Sequence, residues 1–527
     1  MRIAPHALQV AVLIFCVWVA GSPASAGENM VNLPVHHWVY DALGRLARMG
    51  LITESFLTLQ PIRRDEAARL VAEALAKRNR FEPGSEWDWT DELLSRLELE
   101  FQRELRGETP NVQWRWADPI EFQTTRAGLD GVERQPLENQ GGRSVSDGLN
   151  TRLTWRGWAQ AGNWAALTLE GEVRSHDPDE DLFLTEGSLK STLFFLDLEI
   201  GRDRQWWGPG EHGALILSDN APPMDMIRIS NAHPSRLPWV LSNLGEWKWA
   251  IFITRLEHDR DFPRAKLGGV RLVWSPIGWL ELGASRTVIF GGEGRPHFTR
   301  PIDYLRILVG YGSDNEGSPY LGNDNLGAWD VTVYLPWIHS VMPSVQGAKL
   351  YLEYAGEDNC VHEYFRSEVR NLCRIAPLMG LSVSFPRSDL RLEYANNVDD
   401  VITWYTHSPY TTGYTFNGFT IGHEMGGNAD DLSLSGTFYL TPTTHLLTAI
   451  ERERVGSGPD RETDFDPCLP PCSVIYAGNI GLKYSLLPSW EAAVEYRYEH
   501  AVRPEFVSGE SADAHLLMAG FKLYIIP

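Results

Sequence analysis

No stretch of this 527-residue chain is both apolar and long enough for a membrane-spanning helix, which needs about 20 such residues. Any passage through a bilayer would have to be made by strands closed into a barrel. Basic charge is also scarce. With 47 Lys and Arg against 69 Asp and Glu, the formal net charge is −22, which excludes a nucleic-acid partner because phosphate backbones demand basic surface. Cysteine is rarer still, with five residues, one of them (Cys16) in the leader described below. Cys360 and Cys373 form one close pair and Cys468 and Cys472 another, with no histidine in metal-ligand rhythm around either. Two local disulfides, made in an oxidising compartment, are expected.

Catalytic signatures are missing too. GHEMGG (422–427) lacks the second histidine four residues after His423 that a zinc protease needs. There is no G-x-S-x-G elbow and no phosphate loop, and no carboxylate pair stands out by its spacing. Neither an enzyme nor a cofactor or metal is expected.

What is present divides the chain into three parts. Arg2, an apolar run over residues 10–20 and the small residues Ala24, Ser25 and Ala26 have the order of a secretory signal peptide, residues 1–26. From 27 to 109 the apolar residues recur at helical spacing. Val39, Leu43, Leu46 and Ala47 form a stripe that stops at Gly50, and Ala67, Leu70, Val71 and Ala74 form a second. Leu94, Leu97, Phe101 and Leu105 form a third, with Thr90 as its expected cap and Gly107 at its end. A small α-helical bundle is predicted.

From 110 to 527 the period falls to two. Leu350, Leu352 and Tyr354 alternate with Lys349, Tyr351 and Glu353; Leu390, Leu392 and Tyr394 alternate with Arg391 and Glu393. Trp490, Ala492, Val494, Tyr496 and Tyr498 alternate with Glu491, Glu495, Arg497 and Glu499, and Leu517, Ala519, Phe521, Leu523 and Ile525 share one side. TLFFLDLEIG puts Phe194, Leu196, Leu198 and Ile200 on one face. A soluble sandwich and an outer-membrane barrel both produce such alternation. Three features favour the barrel: tyrosines at strand ends on the apolar face, both signs of charge on the polar face, and no break in composition before the C-terminus. At roughly 20 to 25 residues per strand and connection, this region makes a mainly β fold of on the order of 16 to 20 transmembrane antiparallel strands. The cysteine pairs fall in long irregular stretches, expected to be outward loops.

One stretch, GRDRQWWGPGEHGALILSDNAPPM (201–224), sets Trp206 and Trp207 against a Gly208-Pro209-Gly210 turn. Adjacent strand residues point to opposite faces, so one tryptophan would face lipid and the other the lumen beside Arg202, Asp203 and Arg204. An inward indole among charged groups suits a sugar ring, which stacks through its C–H face and hydrogen-bonds through its hydroxyls. Structural packing is the other reading. His423, Glu424, Asp430 and Asp431 lead into a further strand, as a plain turn or as a polar mouth for a hydroxyl-rich ligand.

Residues 201–230, with 326–337, 350–358 and 414–435 in the same order, resemble the capsule assembly Wzi family. The resemblance implies an outer-membrane β-barrel with a small helical domain on its periplasmic side. It implies a lectin-like, non-catalytic factor that assembles and holds capsular or other exopolysaccharide at the cell surface. Arg202, Trp206, Trp207, Gly208, Gly210, His423 and Glu424 become candidate polysaccharide contacts, with Arg204 a second nearby cation for an acidic polymer. Polysaccharide and outer-membrane lipid are the expected partners of a monomeric protein. The ending FKLYIIP departs from the terminal aromatic usual in such barrels, since Tyr524 lies three residues before Pro527. A second likeness, to one S-layer homology repeat, rests on Pro34, His37, Trp38, Gly50, Arg64, Glu66 and Ala67. It leaves open a diffusion porin tethered to cell-wall polymer, although such repeats usually act in threes and one is visible.

Overall fold

The structure is a computed structural model. It describes residues 29–525 apart from 79–88, 109–110, 133–134, 163, 176–181, 238, 297–299, 309–322, 358–374, 399–403, 407–408, 457–471 and 488. The signal sequence and Cys360, Cys373 and Cys468 therefore lie outside the described residues, and with them both expected disulfide pairings. Cys472 is buried at the start of a strand, where its sulfur accepts from Arg503 Nη2 at 3.2 Å.

Eighteen strands form one closed antiparallel barrel, within the range expected from chain length. They are β1 (Ile120–Asp130), β2 (Gly148–Ala161), β3 (Ala165–Arg174), β4 (Phe183–Leu193), β5 (Leu196–Asp203) and β6 (Met224–Asn231). Next come β7 (Glu246–Arg255), β8 (Lys266–Ile277), β9 (Leu280–Phe290), β10 (Asp324–Tyr334), β11 (Gly347–Glu357) and β12 (Ile375–Phe385). The last six are β13 (Ser388–Asn396), β14 (Ala429–Thr441), β15 (Thr444–Gly456), β16 (Cys472–Leu487), β17 (Trp490–Val502) and β18 (Ser511–Leu523). Each pairs with its sequence neighbour, and β18 returns to β1 in register Leu523↔Ile120, so no edge is left open.

The period-two pattern decides which side faces out. Leu350, Tyr354, Leu392, Val494, Tyr496, Leu517 and Phe521 are exposed on the outer face, while Lys349, Tyr351, Glu353, Asp389, Glu393 and Glu491 are buried within. A soluble domain does not expose apolar surface on that scale; a lipid-facing wall does. The alternation fails at Phe194 and at Ile525, which lies beyond the end of β18 at Leu523. Phe194 sits in the β4–β5 turn with φ of 59°, so only Leu196, Leu198 and Ile200 belong to the strand.

Connections at one end are tight, such as residues 194–195, 278–279, 386–387 and 442–443. At the other end they are long, notably 131–147, 204–223, 291–323 and 397–428. The helices α1 (Trp38–Arg48), α2 (Arg64–Lys77), α3 (Trp89–Glu100) and α4 (Gln102–Leu105) pack together below the short-turn end. Their buried stripes are the ones the sequence marks. Thr90, however, is not a cap. It lies inside α3, which already includes Trp89, whose N–H donates to the Pro386 carbonyl of a barrel turn at 3.2 Å. A fifth helix, α5 (Pro301–Leu308), lies on the outer wall, where Ile307 and Leu308 join Val288, Phe290, Ile251 and Ile253.

Ion pairs fasten the helical domain to the barrel. Arg45 and Arg48 share Asp389 Oδ1 at 2.9 and 3.1 Å, Arg63 meets Asp197 at 3.1 Å, and Lys248 meets Glu66 at 2.7 Å. Trp89 stacks on Tyr439 at 4.6 Å. Of the residues behind the S-layer likeness, Glu66 is engaged by Lys248 of the barrel, whereas Arg64 pairs within the helical domain with Glu100 and Glu104 at 2.7 and 3.0 Å.

Candidate functional site

Three segments fold into the lumen and pack against its wall from β6 to β14. Phe56 and Leu59 rise from the helical domain; Trp207, Leu215, Ile216 and Leu217 descend from 204–223; Tyr405, Tyr410, Tyr414, Ile421 and Met425 come from 397–428. With Phe252, Leu267, Tyr351 and Leu378 of the wall they make one buried apolar cluster. A barrel of this girth has a lumen wide enough for water; here, among the described residues, the infolded segments occupy its β6 to β14 side with packed side chains.

The tryptophan pair belongs to this plug, which corrects the expectation of one outward and one inward ring. Both are buried. The chain leaves the wall at Asp203, and Trp206 and Trp207 then pair as a short strand with Gln60 and Leu59 of the helical domain. Trp207 packs edge-on to Phe252 at 5.2 Å, and its backbone N–H donates to the Leu217 carbonyl at 2.9 Å. Trp206 meets His36 edge-on at 5.1 Å and donates from Nε1 to the Gly210 carbonyl at 3.2 Å. It also borders a cavity of about 190 Å³ shared with Tyr40, Arg48, Glu211, Lys349 and Arg391.

The glycine turn after them is the deep tip of the loop. Gly208 holds φ of 139°, and a Cβ there would stand 2.9 Å from Glu353 Oε2. A Cβ on Gly210 would strike the Gly213 carbonyl at 2.0 Å. Three successive backbone N–H groups then close around one carboxylate. Glu211 donates to Glu393 Oε2 at 2.7 Å, Gly213 donates to Oε1 at 2.8 Å, and His212 reaches both oxygens at 3.3 Å. This is an anion nest occupied by the barrel's own side chain, and the Tyr351 hydroxyl adds a bond at 2.5 Å. Glu211 itself pairs with Lys349 at 2.6 Å, Arg391 at 2.8 Å and Arg48 at 3.8 Å. Burial would raise its carboxyl, but those three cations hold it well below the usual range.

The remaining candidates divide. Arg202 points outward at the long-loop end, paired with Asp225 at 2.9 Å, and does not join the lumen. Arg204 turns inward to Glu186, Glu170 and Asp219 at 2.8, 3.2 and 3.7 Å. Burial pushes the Asp219 carboxyl up to about 6 despite that arginine. His423 is fully buried with Nδ1 3.1 Å from Glu424 Oε1. Burial alone would lower this imidazole; Glu424 outweighs it and raises it to about 9. His212, on the plug loop, lies 3.4 Å from Glu424 and 3.3 Å from Asp431.

Several working residues carry no motif. Glu393 is marked only by its place on the polar face of a strand, and Glu353, though inside the 350–358 stretch, is not singled out by it. Arg143, Arg152 and Arg174 surround Glu172 at the long-loop end, with Arg143 Nη2 at 2.8 Å and Arg152 Nε at 3.9 Å. They border a cleft of about 30 Å³ with Gln123, Thr125 and Asn150. Nothing in their spacing announces the cluster, which the barrel curvature and the 131–147 loop assemble.

Two known proteins bear on this architecture. A Klebsiella pneumoniae chain described as an uncharacterized 55.8 kDa protein in the cps region is 34% identical over 189 residues. That match takes in 33% of this chain and 37% of the relative, so it spans little more than a third of the curated protein. The solved structure of Wzi from Escherichia coli, described as an outer-membrane protein involved in group 1 capsule assembly and a carbohydrate-binding β-barrel, superposes with a TM-score of 0.67. It is 20% identical and covers 95% of this chain and 100% of its own, a likeness of fold. Residues 120–516, from the first barrel strand into the last, match the family described as capsule assembly protein Wzi. The chain is an outer-membrane β-barrel that belongs to the capsule assembly protein Wzi family.

Proposed function

We propose that this barrel binds capsular or related acidic exopolysaccharide at the cell surface and holds it there, without transporting it through the lumen. The observation that carries the reading is the packed lumen itself. A pore would need a continuous aqueous path, and the described lumen is occupied by an apolar cluster and a bonded loop tip. Such barrels have short periplasmic turns and long extracellular loops, so the helical domain lies in the periplasm and Arg143, Arg152 and Arg174 face outward from the cell. On a chain of net charge −22, these three arginines, partly buried around Glu172, are a local gathering of cations that a carboxylated sugar could reach by competing for them. The polymer then meets the rim, while Arg204, Trp206, Trp207, Gly208, Gly210 and His423 support it by closing the barrel beneath. The protein works as a monomer in outer-membrane lipid, and its helical domain is spent on plugging the barrel, leaving the S-layer-like residues little surface for cell-wall polymer.

The test is polymer retention. Cells lacking the protein should shed polysaccharide into the medium while making the same total amount. The full chain should restore attachment, and a chain with Arg143, Arg152 and Arg174 all changed to alanine should insert normally but restore it poorly. Unchanged retention in the deletion strain, or steady ion conductance by the purified wild-type protein, would end this reading in favour of a porin.

A further inference from the structure

Above the plug tip, four carboxylates converge on one imidazole. His212 comes from the 204–223 loop, Glu424 from the 397–428 loop, Asp431 from β14, Glu451 from β15 and Glu138 from the 131–147 loop. His212 Nε2 is 3.3 Å from Asp431 Oδ2, 3.4 Å from Glu424 Oε1 and 4.0 Å from Glu451 Oε1. Arg497 serves two of these acids, Glu138 at 2.6 Å and Glu451 at 3.3 Å, and His423 contacts Glu424. Asn139 Nδ2 donates to Glu424 Oε2 at 3.1 Å.

Hydrogen bonding leaves this cluster incomplete. His212 Nε2 and Glu424 Oε1 are buried atoms with charged neighbours but no well-formed hydrogen bond, Glu424 Oε1 standing 3.1 Å from His423 Nδ1; on Asp431 the atom left unsatisfied is Oδ1, while Oδ2 faces His212. Asp431 is 1% exposed and Glu424 9%, so water does not reach these oxygens freely, and a buried polar atom left unpaired is costly. The spacing supplies a second clue. A tetrahedral cation with bonds of about 2.0 to 2.1 Å holds its ligand atoms about 3.3 to 3.4 Å apart. Those are the separations between the imidazole nitrogen and its two nearest carboxylate oxygens.

We propose that His212, Glu424 and Asp431 form a binding site for a divalent cation of the zinc class, with Glu451 positioned to complete the coordination. One imidazole with two or three carboxylates suits a borderline tetrahedral ion better than calcium, which takes six to eight oxygens. The ion takes the place of the imidazolium proton, which passes to solvent. Because its ligands come from two different infolded loops and the wall, it cross-links the plug to the barrel where no covalent bond does so among the described residues.

The experiment uses full-length protein in detergent, stripped with EDTA and titrated calorimetrically with Zn²⁺, with Ca²⁺ as the comparison ion and no polysaccharide present. Wild type should take up one equivalent of Zn²⁺ and unfold at a higher temperature with it, while Ca²⁺ gives neither effect. His212→Ala should weaken Zn²⁺ binding at least tenfold. Asp431→Asn, which keeps the side-chain shape, should do the same and serves if the first variant fails to fold. Absence of Zn²⁺ uptake by the stripped wild type, or undiminished uptake by the folded variants, overturns the site. Neither result depends on whether the polymer is retained on cells.

Discussion

The Gly213 N–H donates to Glu393 Oε1 at 2.8 Å, joining the loop between β5 and β6 to the inner face of β13. Glu393 offers only acceptors to a nest made only of donors. Glu393→Gln would present an amide to the same N–H groups and lose the charge from each bond. Hydrogen bonds to charged groups contribute about 1.5 to 3 kcal/mol, so the variant should lose on the order of 3 kcal/mol. The loop tip should come free, and planar-bilayer recordings should detect conductance that wild type lacks. Glu495→Gln, which alters a carboxylate hydrogen-bonded to Asn479 between β17 and β16, away from the nest, should stay silent. Equal thermal stability and equal conductance in Glu393→Gln and wild type would refute the nest's role.

Removing Trp207 tests packing against sugar stacking. The ring is fully buried against Phe252 and the Gly269 backbone, and truncation of a core aromatic costs about 3 to 5 kcal/mol. Trp207→Ala should therefore lower the unfolding temperature and expose the 204–223 loop to protease. Polymer retention should fall only in proportion to folded protein. A stable Trp207→Ala that sheds polymer would instead make the tryptophan a binding surface.

The lipid face was legible because it obeys a strict alternation: once Leu350, Leu352 and Tyr354 face out, Lys349, Tyr351 and Glu353 must face in. The strand range followed from chain length for the same reason. Arg202 and Arg204 mark where this logic stops. Two residues apart, they would share a face on a continuous strand. β5 ends at Asp203, so Arg202 stays on the wall while Arg204 turns into the lumen. Segments that fold back into a lumen have no period of their own. Their apolar residues are buried by tertiary contacts with Phe56 and Leu59, more than 140 residues earlier in the chain, and local spacing carries no trace of that pairing. His212 was missed for the same reason: its four acid partners lie in four other segments.

The helical domain depends on Asp389. That carboxylate accepts from Arg45 and Arg48 at 2.9 and 3.1 Å, from Ser384 at 2.6 Å and from the Tyr439 hydroxyl at 2.5 Å. Breaking one side of a buried pair costs about 3 to 5 kcal/mol because the other charge is left uncompensated. In Asp389→Asn, limited proteolysis should cut the helical segment much faster than in wild type. The barrel should remain heat-modifiable on a gel, since its strand ladder is untouched. Co-ordinate loss of both would mean that barrel and helices fold as one unit.

The pairing of His423 with Glu424 fixes the sign of a pH effect. In the unfolded chain the imidazole titrates near 6.5; in the folded protein it is raised to about 9. Below the lower value both states carry the proton and the ion pair contributes in full. As pH rises through 9 the folded state loses the proton too, and the contribution disappears. A displacement of this size corresponds to roughly 3 kcal/mol. His212 is raised well above its ordinary value by Asp431, Glu424 and Glu451 against the opposing effect of burial, and acts in the same direction. Wild type stripped of metal with EDTA should therefore lose stability to urea between about pH 7 and pH 10. His423→Gln should be less stable at neutral pH and show a shallower decline, because the group that titrates has gone. Parallel stability curves for the two proteins across that range would mean that His423 is neutral in the folded barrel and that Glu424 is held by other groups.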